Sequence, residues 1–171
     1  MFEFEFTQVL DSKKHDRKKF DCGENSLNKY LKEQASQDFK NKVSVCFVVV
    51  ENESKVVLGY YTLSNNSISR SELDQELQKK VKTKYQQLPT TLIGRLAVDK
   101  RQKGQNLGRD LLMDGLIKAL AYSKQLGSVA VVVDPINNSE SFYEKFGFMK
   151  LESGKMFLPM KTIEELIEKD I

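Results

Sequence analysis

The stretch RQKGQNLG, residues 101–108, holds the densest candidate chemistry in the chain. Between Lys100 and Arg109 lie four cations, two glycines and no acid. The apolar run TLIGRLAVD precedes it, and Leu107, Leu111, Leu112, Leu116 and Ala119 then mark one face of a long helix. A helix start leaves backbone N–H groups without intrahelical partners and forms the positive end of the peptide dipole. Phosphate binds there when the backbone can come close. Gly104 has no Cβ to hold a phosphate away and tolerates positive φ, and Asn106 is the next most tolerant residue type. Lys100, Arg101, Lys103 and Arg109 add charge around the same bend. The pattern predicts an anion cradle; the plainer alternative is a strand-to-helix turn with solvated cations. It is not a Walker loop, because no GK[ST] follows, and Asn106 occupies the second glycine's place of GxGxxG.

Other chemistries are disfavoured by composition. His15 is the only histidine and sits in the polar run KKHDRKK, which reads as a solvated surface segment. No histidine cage or Cys/His zinc motif is present, so no metal is expected. Cys22 and Cys46 lack CxxC spacing and suit a reduced, cytoplasmic protein. The 27 basic and 24 acidic residues give a net charge of only +3, so a polyanionic partner would need a local patch. The longest apolar run, VCFVVV, is too short to span a bilayer, and the N-terminus lacks a signal-peptide layout.

The elements that must position the loop are legible as patterns. Phe2, Phe4 and Phe6 alternate with acids as in a half-buried strand. Leu27, Leu31, Ala35 and Phe39, with Tyr30 beside them, predict an amphipathic helix. VSVCFVVVE and VVLGYYTLS read as a hairpin around ENESK, extended by NSISR. SELDQELQKKVKTKY suits a short helix, acidic at its start and basic at its end, and Pro89 is expected to close the loop after it. Beyond the long helix, ended by Gly127, come the strand SVAVVVD and the helix NSESFYEKF, which Gly147 stops. FMKLE and KMFLPM form a strand pair around Ser153–Gly154, and a last helix starts at Thr162. With 171 residues and 40% apolar content, one mixed α and β domain over 1–171 is expected.

RLAVDKRQKGQNLGRDLL resembles the acyl-CoA-binding motif of the GNAT N-acetyltransferases, [QR]-x-x-G-x-[GA], with Arg101, Gly104 and Asn106 on its positions. Asn106 departs from the expected Gly or Ala. The resemblance implies an α+β GNAT fold: a mixed, mostly antiparallel sheet flanked by helices, with a splayed central strand pair. It implies acetyl-CoA as cofactor, its pyrophosphate held by the loop of Arg101, Gln102, Lys103, Gly104, Gln105, Asn106, Leu107, Gly108 and Arg109. Leu96, Ala97 and Val98 would pair with the pantetheine arm. DPINNSESFYEKFGF is similar to the downstream GNAT element, and Tyr143 matches the tyrosine near the cofactor sulfur. The departing thiolate needs a proton, and a phenol of pKa about 10 can supply it. The other reading of Tyr143 is an aromatic packed beside Phe142 and Phe146. Asn137, Asn138 and Ser139 either contact the cofactor arm or cap a helix. Glu51, Glu72 and Asp99 are positioned as general bases but read better as surface or turn residues, which favours an α-amine acceptor or a water relay.

The N-terminal half narrows the resemblance. The run F-x-C-G-x-x-x-L-N-x-[YW]-L, an apolar strand and G-Y-Y-x-L are similar to the tRNA-acetylating toxins of type II toxin–antitoxin pairs. This implies transfer of acetyl to the α-amine of aminoacyl-tRNA, a ribbon-helix-helix antitoxin as partner, and a chain for which a homodimer is compatible. Lys13, Lys14 and Arg17 are the leading phosphate-binding candidates. Lys18, Lys19, Lys29, Lys32, Lys40 and Lys42 follow, with the lysines from 79 to 84, all diluted by acidic neighbours. Arg70 and Arg95 are candidates for the acceptor end. Cys22 and Gly23 read as structural, and one of Tyr60 and Tyr61 is expected to face the core. Two other readings stay open: an acetyltransferase for a small amine or protein N-terminus, and a non-catalytic acyl-CoA- or RNA-binding module.

Overall fold

The computed structural model describes residues 6–170. Phe2 and Phe4 of the expected first strand lie outside the described residues, and Phe6 is exposed. Seven strands form one sheet in the order β1-β2-β3-β4-β5-β7-β6. They are β1 (Gln8–Val9), β2 (Val45–Val50), β3 (Val57–Ser69), β4 (Gln87–Val98), β5 (Ala130–Val133), β6 (Met149–Lys150) and β7 (Met156–Pro159). The helices are α1 (Asn25–Lys29), α2 (Ala35–Lys40), α3 (Gln75–Lys80), α4 (Leu107–Leu126), α5 (Glu140–Glu144) and α6 (Met160–Asp170). Pairing is antiparallel for β1–β2, β2–β3, β5–β7 and β6–β7, and parallel for β4–β5. All four residues of β5 are buried, as a strand covered on both faces requires. Its pairing with β4 runs from Thr91↔Val131 to Ile93↔Val133, while β4 itself continues to Val98. Among the described residues no helix is long and apolar enough to cross a membrane.

The chain divides into two compact units, Met1–Ser64 with Gly94–Gly115, and Asn65–Ile93 with Leu116–Ile171. In the first, Phe20, Leu31, Ala35, Val48, Val57 and Tyr60 form the centre of one core cluster. Both neighbouring tyrosines are fully buried, which corrects the expectation that only one faces the core. The strand is covered on both faces there. Tyr60 donates to the Leu27 carbonyl at 2.8 Å, while Tyr61 stacks on Phe47 and donates to Asp114 of α4 at 2.5 Å. Gly59 lies where β3 meets its neighbours: a Cβ there would come within 2.7 Å of Leu111 Cδ1 and 3.2 Å of the Ala97 carbonyl.

A π turn over Tyr30–Gln34 joins α1 to α2. The wide turn inserts an extra residue into the helical period, and Phe39, expected on the apolar face, is 50% exposed. His15 is another correction. It is buried, because its Nδ1 accepts the Asp11 amide at 3.0 Å and its Nε2 faces Gln8 Oε1 at 3.1 Å. Burial lowers its pKa from the ordinary histidine value.

In the second unit, Ile68, Leu73, Leu77, Leu88, Val132 and Phe157 belong to one core cluster. The expected helix from Ser71 shrinks to the six residues of α3, capped by Asp74 accepting the Leu77 amide at 2.8 Å. Pro89 lies inside β4 instead of closing a loop, and its carbonyl accepts the Val129 amide at 2.9 Å. A strand proline lacks only its donor, so the acceptor side of the ladder survives.

Candidate active site

The 101–108 loop is built as its residue types require. Lys100–Gln102 form one 3₁₀ turn, after which Gly104 has φ +80° and Asn106 φ +57°. Two left-handed residues two positions apart turn the chain into α4, and the asparagine takes the second of them without a glycine. The Asp110 amide makes the first i→i−4 bond of the helix, to the Asn106 carbonyl at 3.1 Å. The amides of Leu107, Gly108 and Arg109 therefore precede the intrahelical ladder, at the positive end of a 20-residue helix. Gly104 is exposed, and a Cβ built on it would meet nothing within 4 Å. The space over this backbone is open for a ligand.

Asp99, expected as a surface or turn residue, is a buried turn residue that caps Lys100–Gln102 and holds the loop's base. The Asp99 side chain is 1% exposed and accepts four N–H groups. Arg101 contributes its amide at 2.9 Å, Nε at 2.8 Å and Nη2 at 2.9 Å, and the Asp21 amide donates at 3.1 Å. The guanidinium holds the Asp99 carboxyl below its ordinary value, so it is ionised and a poor proton acceptor. Lys100 pairs with Asp21 at 2.6 Å, and its amide donates to the Asp21 carbonyl at 2.8 Å. Asp21 in turn accepts from Gly23 N at 2.9 Å and Asn28 Nδ2 at 3.0 Å, with Gly23 at φ +88°. The FDCGENSLN segment thus grips the first turn of the loop. Cys22 is structural within it, and burial pushes its thiol up. Of the four cations around the bend, Lys100 and Arg101 are paired within the protein and Arg109 lies 3.5 Å from Asp110. Lys103 is exposed.

Leu96, Ala97 and Val98 end β4, Ala97 buried and the other two partly exposed. Arg95 lays its guanidinium carbon 3.5 Å from the centroid of the Tyr30 ring. Tyr30 sits in the π turn and is itself fixed by Asp38 at 2.9 Å and Ser44 at 3.0 Å. Lys13 and Lys14 are exposed, and Arg17 is half-buried, its Nη1 donating to the Leu31 carbonyl at 2.8 Å and Ser36 Oγ at 3.2 Å.

The second unit holds Tyr143, Asn137, Ser139 and Arg70. Tyr143, in α5, is buried between Phe142 and Phe148, both edge-on to its ring. Burial alone pushes its phenol up to about 12, so the hydroxyl keeps its proton at any physiological pH. Asn137 and Asn138 take positive φ in the turn before α5, and the Ser139 hydroxyl is buried without a protein partner. Arg70 donates to the carbonyls of Thr83 and Gln78 and thereby ties down the excursion between β3 and β4. Glu72 is committed to a capping box with Ser69, whose amide it accepts at 3.2 Å, and Glu51 is exposed.

A family model described as the acetyltransferase (GNAT) domain matches residues 12–162. The chain belongs to the GNAT acetyltransferases. Among its relatives, the probable toxin TacT of Sinorhizobium fredii is 28% identical over 170 residues, 94% of this chain and 93% of that protein. Among solved structures, AtaT complexed with acetyl-methionyl-tRNAfMet is 30% identical, with a TM-score of 0.85 over 94% of this chain and 98% of that one. A tyrosine-to-phenylalanine mutant of the AtaT toxin, bound to the C-terminus of the antitoxin AtaR and to acetyl-CoA, is 27% identical. Its TM-score is 0.80, over 94% of this chain and 96% of that one. The chain is accordingly an acetyl-CoA-dependent acetyltransferase of GNAT fold. Its own residues fit that cofactor: an open, glycine-bearing helix start suits a diphosphate.

Proposed function

We propose that this GNAT enzyme transfers acetyl from acetyl-CoA to the α-amine of an aminoacyl-tRNA, in the cytoplasm, and that a ribbon-helix-helix antitoxin holds it in check. The observation that carries the acceptor is the whole-length likeness to AtaT complexed with acetyl-methionyl-tRNAfMet. The side-chain chemistry is compatible. The three carboxylates best placed in sequence to act as a base are ion-paired, committed to a cap, or exposed. An α-amine of pKa near 8 is already partly neutral at pH 7 and needs no strong base, unlike a lysine amine near 10.4.

In this reading the amides from Gln102 to Arg109 hold the cofactor's diphosphate, with Lys103 and Arg109 as nearby charge. The edge of β4 at Leu96, Ala97 and Val98 aligns the pantetheine arm, and Asn137 and Ser139 contact it. Acetyl-CoA supplies an activated acyl group on sulfur. Transfer forms an N–C bond and breaks the C–S bond, so nitrogen must lose a proton and sulfur must gain one. Tyr143 gives its phenolic proton to the sulfur and regains one from the amine through water. The AtaT structure with its tyrosine replaced is consistent with such a role. Arg70 and Arg95 serve the acceptor end, and Lys13, Lys14 and Arg17 the nucleic-acid backbone.

Incubation with labelled acetyl-CoA and charged total tRNA tests the proposal. It predicts N-acetylated amino acid released from tRNA by mild base. Label confined to small amines or protein, or cofactor binding without transfer, would refute it.

A further inference from the structure

A pinned aromatic ring in the first unit carries an arginine whose donors are unspent. Tyr30 is buried in the π turn and stacks on Tyr60, with ring centroids 6.3 Å apart. Its hydroxyl donates its one proton to Asp38 Oδ2 at 2.9 Å, so Ser44 Oγ, at 3.0 Å, is the donor to the phenol oxygen. Gln34 Nε2 donates to the other oxygen of Asp38 at 2.8 Å. The ring is thus fixed in its plane by the π turn, α2 and the residue before β2. A phenol that donates to a carboxylate is polarised toward its ring, which strengthens the attraction of the ring face for a cation. Burial pushes Tyr30 up to about 12, so the ring stays neutral. The half-buried Arg95 lies over it, its guanidinium carbon 3.5 Å from the centroid. A guanidinium donates in its own plane, so stacking leaves its five N–H groups available. Among the described residues no carboxylate lies within 4.0 Å of Arg95, and its side chain makes no hydrogen bond. Arg95 stands two residues past Ile93, where the pairing of β4 with β5 ends, and one before Leu96.

We propose that Tyr30 is a positioning residue for the acceptor: its ring, fixed by Asp38 and Ser44, presents the Arg95 guanidinium to a phosphodiester at the acceptor's 3′ end. This rests on the reading that aminoacyl-tRNA is the substrate, and it adds how Arg95 is held and which group it meets. An arginine anchored by an acid spends its charge and two donors on the anchor. One anchored by an aromatic face keeps both for a ligand. An ester-linked amino acid has no free α-carboxylate, so the anions near the reacting amine are the terminal phosphodiesters. The guanidinium fork matches two phosphate oxygens. Tyr30 itself touches no reacting atom and acts through Arg95.

The test is a double-mutant cycle of Tyr30→Leu and Arg95→Gln in the full chain, reading KM for charged tRNA at saturating acetyl-CoA. Tyr30→Leu removes the aromatic face and should raise KM by about 2- to 30-fold, the range of a cation–π contact. Arg95→Gln should raise it at least as far, and the double variant no further than Arg95→Gln alone. Tyr30→Phe keeps the ring and should recover most of the loss, while the acetyl-CoA Kd matches wild type throughout. Equal effects of Tyr30→Leu in both backgrounds, or a loss confined to kcat, would make Tyr30 structural only and overturn the inference. A second measurement needs no turnover, and Tyr30→Phe serves in it should Tyr30→Leu not fold. With the cradle filled by CoA, inorganic phosphate is titrated into protein carrying isotope-labelled arginine. The Arg95 Nε–H signal, assigned by its loss in Arg95→Gln, should move with phosphate in the wild type and less in the Tyr30 variant. An equal response in both, or a larger response to acetate than to phosphate, overturns the assignment. A wild type that shows the phosphate response yet acetylates no charged tRNA refutes the proposed substrate and leaves the role of Tyr30 standing.

Discussion

Asp99→Asn is expected to weaken acetyl-CoA binding without touching the chemical step. The carboxylate accepts four N–H groups, two on each oxygen. An asparagine offers one oxygen, so two donors face an NH₂ group whichever way the amide turns. Hydrogen bonds to a charged acceptor contribute about 1.5–3 kcal/mol each. Those from the Arg101 side chain must be discounted, because it is 49% exposed and regains water. What remains is one backbone amide left unsatisfied or weakened, about 1–3 kcal/mol, borne by the turn that precedes Gly104. If that cost falls on the binding-competent loop, the apparent Kd for acetyl-CoA rises by about five- to 140-fold, at 1.4 kcal/mol per decade. Calorimetry gives the Kd, and steady-state kinetics at saturating acetyl-CoA should give a kcat close to wild type. Because Arg101 holds the Asp99 carboxyl low, its contribution is complete above about pH 4 and disappears as pH falls through the depressed folded value. The variant should lack that acid-side loss. A lowered melting temperature with an unchanged Kd would show that Asp99 supports the fold but not the cradle, and would refute the reasoning.

Three further outcomes follow from particular contacts. Since burial pushes the Tyr143 phenol up to about 12, its acid form persists well above pH 10, and kcat should hold its plateau through that pH and fall only toward 12. A descending limb near 10, measured with a pre-neutralised acceptor amine, would contradict this. Gly104→Val places a β-branched residue at φ +80° and a side chain over the open backbone, so acetyl-CoA binding should be lost while the core stays folded; undiminished affinity would count against the cradle. Gly59→Ala must push aside the buried Leu111 against a fixed Ala97 carbonyl, and chemical denaturation should show a loss of about 1–3 kcal/mol.

The loop was legible because its requirement is local: left-handed backbone at two positions before a helix, met by Gly104 and Asn106. The valine-rich strands β2 and β5 were legible for the same reason, their residue types being enough. What stayed hidden depends on long-range contacts or on a change of period. Asp21 and Asp99 are 78 residues apart, and nothing near either announces the other. The only local hint was Asn28, at fixed spacing after Gly23 in the FDCGENSLN run. The burial of Tyr61 required knowing that α4 covers the second face of β3, and that of His15 depends on a turn closed by Asp11. The π turn broke the helical period that had put Phe39 inside. The chemical role of Tyr143 came from the family pattern, and its residue type alone would equally have fitted packing against Phe142 and Phe148.

The central claim is that a main-chain cradle binds acetyl-CoA while a buried phenol protonates the leaving sulfur. Measuring kcat and the acetyl-CoA Kd together in Tyr143→Phe tests it most directly. The ring packing survives the change, so the Kd should match wild type while kcat falls by about 10²- to 10⁴-fold. Wild-type turnover would remove Tyr143 from the proton path, and a parallel loss of binding would make it a cofactor contact instead.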